Sequence, residues 1–176
     1  MQRRFIAGVA LAAALAAAGV TAQNAPDPAD AIAARRALMT EIDRLMRPFD
    51  AFAFGEPADT AALRADAGTL AAMLAATPHL FPPESNRFDP DAELPVTLAL
   101  PSIWTEFDAF YAFAGAAAEA ANAAAAAADD DALRDAAVRL RGACDGCHAA
   151  YLREYVPAGV SSEDLEFDFE SVLPQN

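Results

Sequence analysis

The stretch DDDALRDAAVRLRGACDGCHAAY, residues 129–151, repeats its apolar positions in alternating steps of four and three: Leu133, Ala137, Leu140, Cys144, Cys147 and Tyr151. An α-helix turns once in about 3.6 residues, so this spacing puts all six side chains on one stripe of one helix. Asp129, Asp130 and Asp131 open the segment, where carboxylates suit the positive, amide-rich end of a helix. A helix with a single apolar stripe needs partners of the same kind to cover it.

Three such partners lie N-terminal to it. The spacing predicts a first helix from about Pro28 to the Arg47–Pro48 step, with Ile32, Met39, Ile42, Met46 and Phe49 on its stripe; Pro48 has no amide hydrogen and is expected to kink or end it. A second helix opens near Asp59 or Thr60, carries Leu63, Ala67, Leu70 and Leu74, and stops before Pro78. A third starts after Pro101 with Ile103, Trp104, Phe107, Phe110, Tyr111 and Ala114 expected to face inward, and continues through an alanine run of high helix propensity. Pro78, Pro82, Pro83, Pro90, Pro95 and Pro101 keep residues 77–101 from forming a helix and leave a long connection. No stretch in the middle of the chain alternates with a period of two. The predicted fold class is all-α, an antiparallel four-helix bundle.

Arg3 and Arg4 precede an apolar run from Phe5 to Val20, and the small residues Val20, Thr21 and Ala22 follow, which is the layout of a secretory signal peptide cleaved near Ala22. The expected organisation is a leader at 1–22, a bundle at 23–155 and an acidic tail at 156–176, in a protein exported to the periplasm. The full chain has 12 arginines, no lysine, 26 acids and a formal net charge of −14; removal of Arg3 and Arg4 takes this to −16. Such a surface repels nucleic acid and anionic lipid, leaves no expected membrane contact after the leader is gone, and would steer a partner with a basic docking face. In the tail, VSSEDLEFDFESVLPQN alternates acids with Leu165, Phe167 and Phe169, a period no helix would use. It reads either as a disordered acidic tail or as a segment docking its Leu and Phe side chains on the bundle or on a partner.

Chemistry is concentrated in CDGCH, residues 144–148, which holds both cysteines and one of the two histidines of the chain. In a helix, Cys144, Cys147 and His148 lie on one side and can reach one object inside the bundle. CxxCH is the c-type haem attachment pattern: the two thiols bond to vinyl carbons of the porphyrin and the adjacent imidazole coordinates iron. A thioredoxin-like redox pair would require a βαβ setting that this chain lacks. A zinc site built from Cys144, Cys147, His148 and His79 would require sequence neighbours to converge tetrahedrally with Cys144, and a disulfide between Cys144 and Cys147 within a helix would be strained. The expected cofactor is one covalent haem c with its iron. No cluster of acid, base and nucleophile accompanies the motif, so a carrier or binder is expected and not an enzyme.

DAIAARRALM at 30–39, HLFPPES at 79–85, PSIWTEFDAF at 101–110 and CDGCHAAY at 144–151 together resemble the cytochrome c prime family, the class II c-type cytochromes. The resemblance spans roughly residues 28–155. It implies that Cys144 and Cys147 carry the thioether bonds, that His148 is the proximal iron ligand, that Met39 faces the distal side of the haem and that Arg35 lies near the propionates. Family members often carry an arginine just after the residue matching Tyr151; here Leu152 stands there, with Arg153 one step on. The resemblance further implies homodimers through the first two helices.

Met39 divides two functions. As sixth ligand it would make the haem six-coordinate and low-spin, as in electron carriers of this class; as a packing residue it would leave a five-coordinate, high-spin iron able to bind NO or CO. Ligation by Met39 with electron transfer is the first expectation, and the open distal site is the alternative. Met46, one heptad on and about 10 Å along the helix, cannot share the iron with Met39. Met73 and His79 are weaker candidates, and Trp104, Phe107, Phe110 and Tyr111 are candidates for the pocket wall.

Overall fold

A computed structural model describes residues 27–154, so the leader and the tail from Tyr155 onward lie outside the described residues. Five α-helices follow in order: α1 (Pro28–Ala53), α2 (Thr60–Ala76), a single turn α3 (Ser102–Thr105), α4 (Phe107–Ala125) and α5 (Asp130–Tyr151). Aspartates cap three of the four long helices: Asp27, Asp59 and Asp129 accept the otherwise unpartnered amides of Ala29, of Ala61 and Ala62, and of Ala132 at 2.8–3.1 Å.

Packing closes these helices into a ring in which α1 touches α2 and α5, and α4 touches α2 and α5. Their directions follow from contacts at the ends. The start of α2 and the start of α5 meet through Arg64 and Asp130 at 2.9 Å, beside the end of α1, where Arg134 donates to the Phe52 carbonyl. At the other end the last residues of α5 meet the start of α4 through Tyr151 and Phe110. Successive long helices therefore run antiparallel, as the sequence predicts. Phe49, Leu70, Leu133 and Leu140 are fully buried at the bundle centre, each contributing about 2 kcal/mol by removal from water. Ala67, Ala71, Ala117, Ala121 and Ala124 line the core faces of α2 and α4, where small side chains let the backbones approach closely.

Pro48 does not end α1, contrary to expectation. It lies on the exposed face, where the Arg44 carbonyl that loses its amide partner can meet water. Buried Phe49 and Phe52 hold the last turn in place and outweigh the missing bond. The third predicted helix is also divided: Glu106 leaves helical geometry at φ −125°, ψ 38°, which shifts the register of everything after it. Ile103, Phe110 and Ala114 are buried as expected, but Phe107 and Tyr111 emerge on the surface and Trp104 is half-buried.

The proline-rich connection is tied down at several points. Trp104 donates its indole N–H to the Phe81 and Pro82 carbonyls at 3.1 and 3.2 Å. Ala99 pairs antiparallel with Leu152 just past α5, through Leu100 N to Tyr151 O and Arg153 N to Leu98 O, both 2.9 Å. Around this closure sits a second, smaller core of Ala99, Ile103, Phe110 and Tyr151, flanked by Phe81, Phe113 and Cys147.

Candidate functional site

Cys144 belongs to the main bundle core and Cys147 packs on the small aromatic core, so CDGCH lies where the two cores meet. Both thiols are free. Gly146 between them faces Phe113, whose Cε1 would lie 3.4 Å from a Cβ at that position, an ordinary van der Waals contact.

Three cavities open around the motif, and Met39 and His148 border all of them. The first, about 90 Å³, is walled mainly by Met39, Ile42, Met46, Leu74, Phe113 and Ala117, with Cys144 and Cys147 on its floor. A second, about 400 Å³, opens toward Arg35, Arg36 and the 97–99 segment. A third, about 90 Å³, runs beneath Phe81, Phe110 and Tyr151. The structure thus brings Met39, Cys144, Cys147 and His148 to one cleft. Met46 borders the first cavity too; Met73 is partly buried against the main core, and His79 is exposed with its ring edge-on to Tyr111 at 6.1 Å. Among the described residues no group of three or more His, Cys, Asp or Glu side chains is arranged to hold a metal ion, which leaves the four-residue zinc alternative without support.

Burial sets the protonation of the donors. It pushes both thiols up to about 11; at Cys144 the Arg141 charge partly opposes this while Asp145 and Asp50 add to it, and at Cys147 the neighbouring Cys144 adds to it. Burial, assisted by the Arg141 charge and opposed by Asp145, pulls the His148 imidazole below its ordinary range, which keeps it neutral and able to donate a lone pair. Two uncommitted thiols and a neutral imidazole on one side of α5, facing an apolar cleft, fit a covalent haem c.

Arg35 is 4 % exposed. Its guanidinium donates to Ser85 Oγ at 2.8 Å, to the Ser85 carbonyl at 3.3 Å and to Thr97 Oγ1 at 2.9 Å, and it stacks 4.7 Å from the centre of the Phe81 ring. Burial, together with the neighbouring Arg36 charge, lowers its pKa. Arg35 therefore fastens the connection to α1 while bordering the second cavity. Arg36 is exposed and donates to the Val96 carbonyl.

Sequence reasoning passed over Arg141, which borders the first cavity three residues before Cys144. Asp50 on α1 grips it through two bonds, 2.8 and 2.5 Å, and Asp145 lies 3.4 Å from it. Burial alone would pull the Arg141 pKa down, yet the bonds and charge of Asp50 carry it upward overall. Leu152, which stands where the resemblance led one to look for an arginine, borders the second and third cavities. Arg153 turns away, bonded to Glu154 at 2.9 Å and over the Phe88 ring.

No curated protein matches the chain significantly. Solved structures do. The chain is similar to cytochrome c' from Rhodobacter Spheriodes (28 % identity, TM-score 0.64, covering 73 % of this chain and 99 % of that one) and to cytochrome c' from Thermochromatium tepidum (26 %, TM-score 0.62, 72 % and 97 %). It is also similar to a variant cytochrome c prime from Alcaligenes xylosoxidans in complex with nitric oxide (26 %, TM-score 0.61, 72 % and 97 %). A family model described as Cytochrome C' matches residues 30–152. With the helical ring and the CDGCH cleft already in place, that match shows that the chain belongs to the cytochrome c prime family, whose covalent haem c it is built to carry.

Proposed function

We propose that this protein is a periplasmic c-type cytochrome whose haem iron keeps its sixth position open and binds NO or CO there, with Met39 as a wall of that site. Cys144 and Cys147 would hold the porphyrin by thioether bonds and His148 would hold the iron. The haem, when bound, supplies an iron able to change redox state and to take a diatomic ligand.

The observation that carries this reading is the apolar wall of the first cavity: Ile42, Met46, Leu74, Phe113 and Ala117 around Met39. That part of the lining, which Asp43, Thr77 and Arg141 complete, offers water little hydration and favours a small, weakly polar molecule. The nitric oxide complex among the similar structures supports the same reading. A second reading, electron transfer with Met39 as sixth ligand, is favoured by one specific observation, that Met39 borders every cavity His148 borders. In either case the acidic surface suits a partner with a basic face, the first two helices would form any homodimer contact, and the haem motif serves binding or transfer and not catalytic turnover.

Stopped-flow mixing of NO with the reduced protein separates the two. As a wall, Met39 slows entry, so Met39→Ala should speed NO association about tenfold without altering the spectrum of the unliganded ferrous form. A wild type that reacts at a rate independent of NO concentration, and a Met39→Ala variant whose unliganded spectrum changes from low-spin to high-spin, would instead identify Met39 as the ligand.

A further inference from the structure

The second cavity differs from the other two in its charge. Arg35 and Arg36 border it and no acid does, whereas Asp43 stands with Arg141 on the first, and the third has neither acid nor arginine. Among the described residues Arg44, Arg47, Arg64, Arg141 and Arg153 each pair with a carboxylate, and Arg35 and Arg36 pair with none. In a chain of formal net charge −14, two adjacent cations without a counter-ion mark a place for an anion. Burial and, after it, the Arg36 charge lower the Arg35 pKa, so the two guanidiniums repel each other at this mouth.

The two arginines differ in what they have left to give. Arg35 is committed, its Nη1 to Ser85 Oγ and its Nη2 to the Ser85 carbonyl and Thr97 Oγ1, and it is buried. Arg36 is exposed, and among the described residues its guanidinium bonds to the Val96 carbonyl alone, through Nη2. A haem supplies an anion of the right kind, since its two vinyl groups stand on one side of the macrocycle and its two propionates on the other. Cys144 and Cys147 both border the first cavity, Cys147 borders the third as well, and neither borders the second. With the vinyl side at the cysteines, the propionate side has the second cavity, about 400 Å³, as its way to water. We infer that Arg36, and not Arg35, is the cation that pairs with a haem propionate in the second cavity, while Arg35 holds the rim against which that pair forms. The expectation that Arg35 lies near the propionates is thereby divided: Arg35 keeps the place and Arg36 supplies the charge. A propionate neutralised by Arg36 stabilises ferric iron less, which raises the reduction potential.

The inference rests on haem attachment at Cys144 and Cys147 and not on what fills the sixth position of the iron; the mass of the purified protein shows whether the haem is attached. Resonance Raman spectroscopy and potentiometric titration of the haem-loaded chain test it. Arg36→Gln should move the propionate bending band to lower frequency, because the carboxylate loses its restraint. The same variant should shift the equilibrium about threefold toward ferric iron, about 30 mV at 59 mV per tenfold for one electron. Arg36→Lys, which keeps the charge without the planar fork, should restore most of the potential. Arg44→Gln, on the same helix, also exposed and bordering none of the three cavities, changes the net charge equally and should move neither reading. An Arg36→Gln variant with the wild-type band and potential overturns the inference. So does an Arg36→Lys variant that loses as much potential as the glutamine variant, which would reduce Arg36 to its bond with Val96. Equal shifts in Arg44→Gln overturn it too, by making the effect one of net charge.

Discussion

One turn before Cys144, Arg141 borders the largely apolar first cavity together with Asp43 and reaches from α5 to Asp50 on α1. Both partners are only about a fifth exposed (20 % and 19 %), so removing one leaves the other poorly solvated. Arg141→Ala should cost about 2 kcal/mol in chemical denaturation, a figure already discounted for the water that reaches the pair. Asp50→Asn should cost a similar amount, and the double variant less than the sum of the two. The thiols give a prediction with a definite sign. Burial holds both near 11, so in the folded, haem-free chain the reactive thiolate is scarce at neutral pH and grows as pH rises toward that value. Alkylation by iodoacetamide at pH 8 should be about a hundredfold slower than for a cysteine in an unfolded peptide, and should still be climbing at pH 10. A rate that levels off near pH 9 would contradict the burial of both groups.

At the scale of elements, α1 carries the sharpest difference between sequence and structure. Reading Pro48 as a terminus removed Asp50 and Phe52 from the helix, and with them the partner of Arg141; the acid was visible but its place on the helix was not. Pro48 stands on the exposed face of a helix that continues to Ala53, so Pro48→Ala restores a backbone bond at little packing cost. The expected gain is about 1–2 kcal/mol, less than the full cost of an interior proline because alanine also frees the unfolded chain. A higher denaturation midpoint of the haem-loaded protein checks it, and a lower one would mean that the Arg44 carbonyl is already satisfied. Other elements were legible for a plain reason. The stripes of α2 and α5 repeat locally, and their aspartate caps lie next to them in sequence. The Ala99–Leu152 pairing joins segments 53 residues apart with no local signal. The break at Glu106 turned Phe107 and Tyr111 outward although their spacing alone matched a buried face.

For the molecule as a whole, the haem motif and the bundle were legible together because each constrains the other. Cys144, Cys147 and His148 need one helix face, and a four-helix ring supplies a cleft for that face to meet. Less legible was the way the cleft is closed: the 77–101 connection reads as loop, yet Arg35, Trp104 and the short pairing beyond α5 fold it over the site. The state of the iron separates the two functions, and absorption spectroscopy of the haem-loaded protein reads it directly. An open sixth position should give covalent haem that survives denaturation, a high-spin ferrous spectrum, and a marked change of that spectrum on adding CO. A low-spin ferrous spectrum indifferent to CO, or a polypeptide without covalent haem, would contradict it.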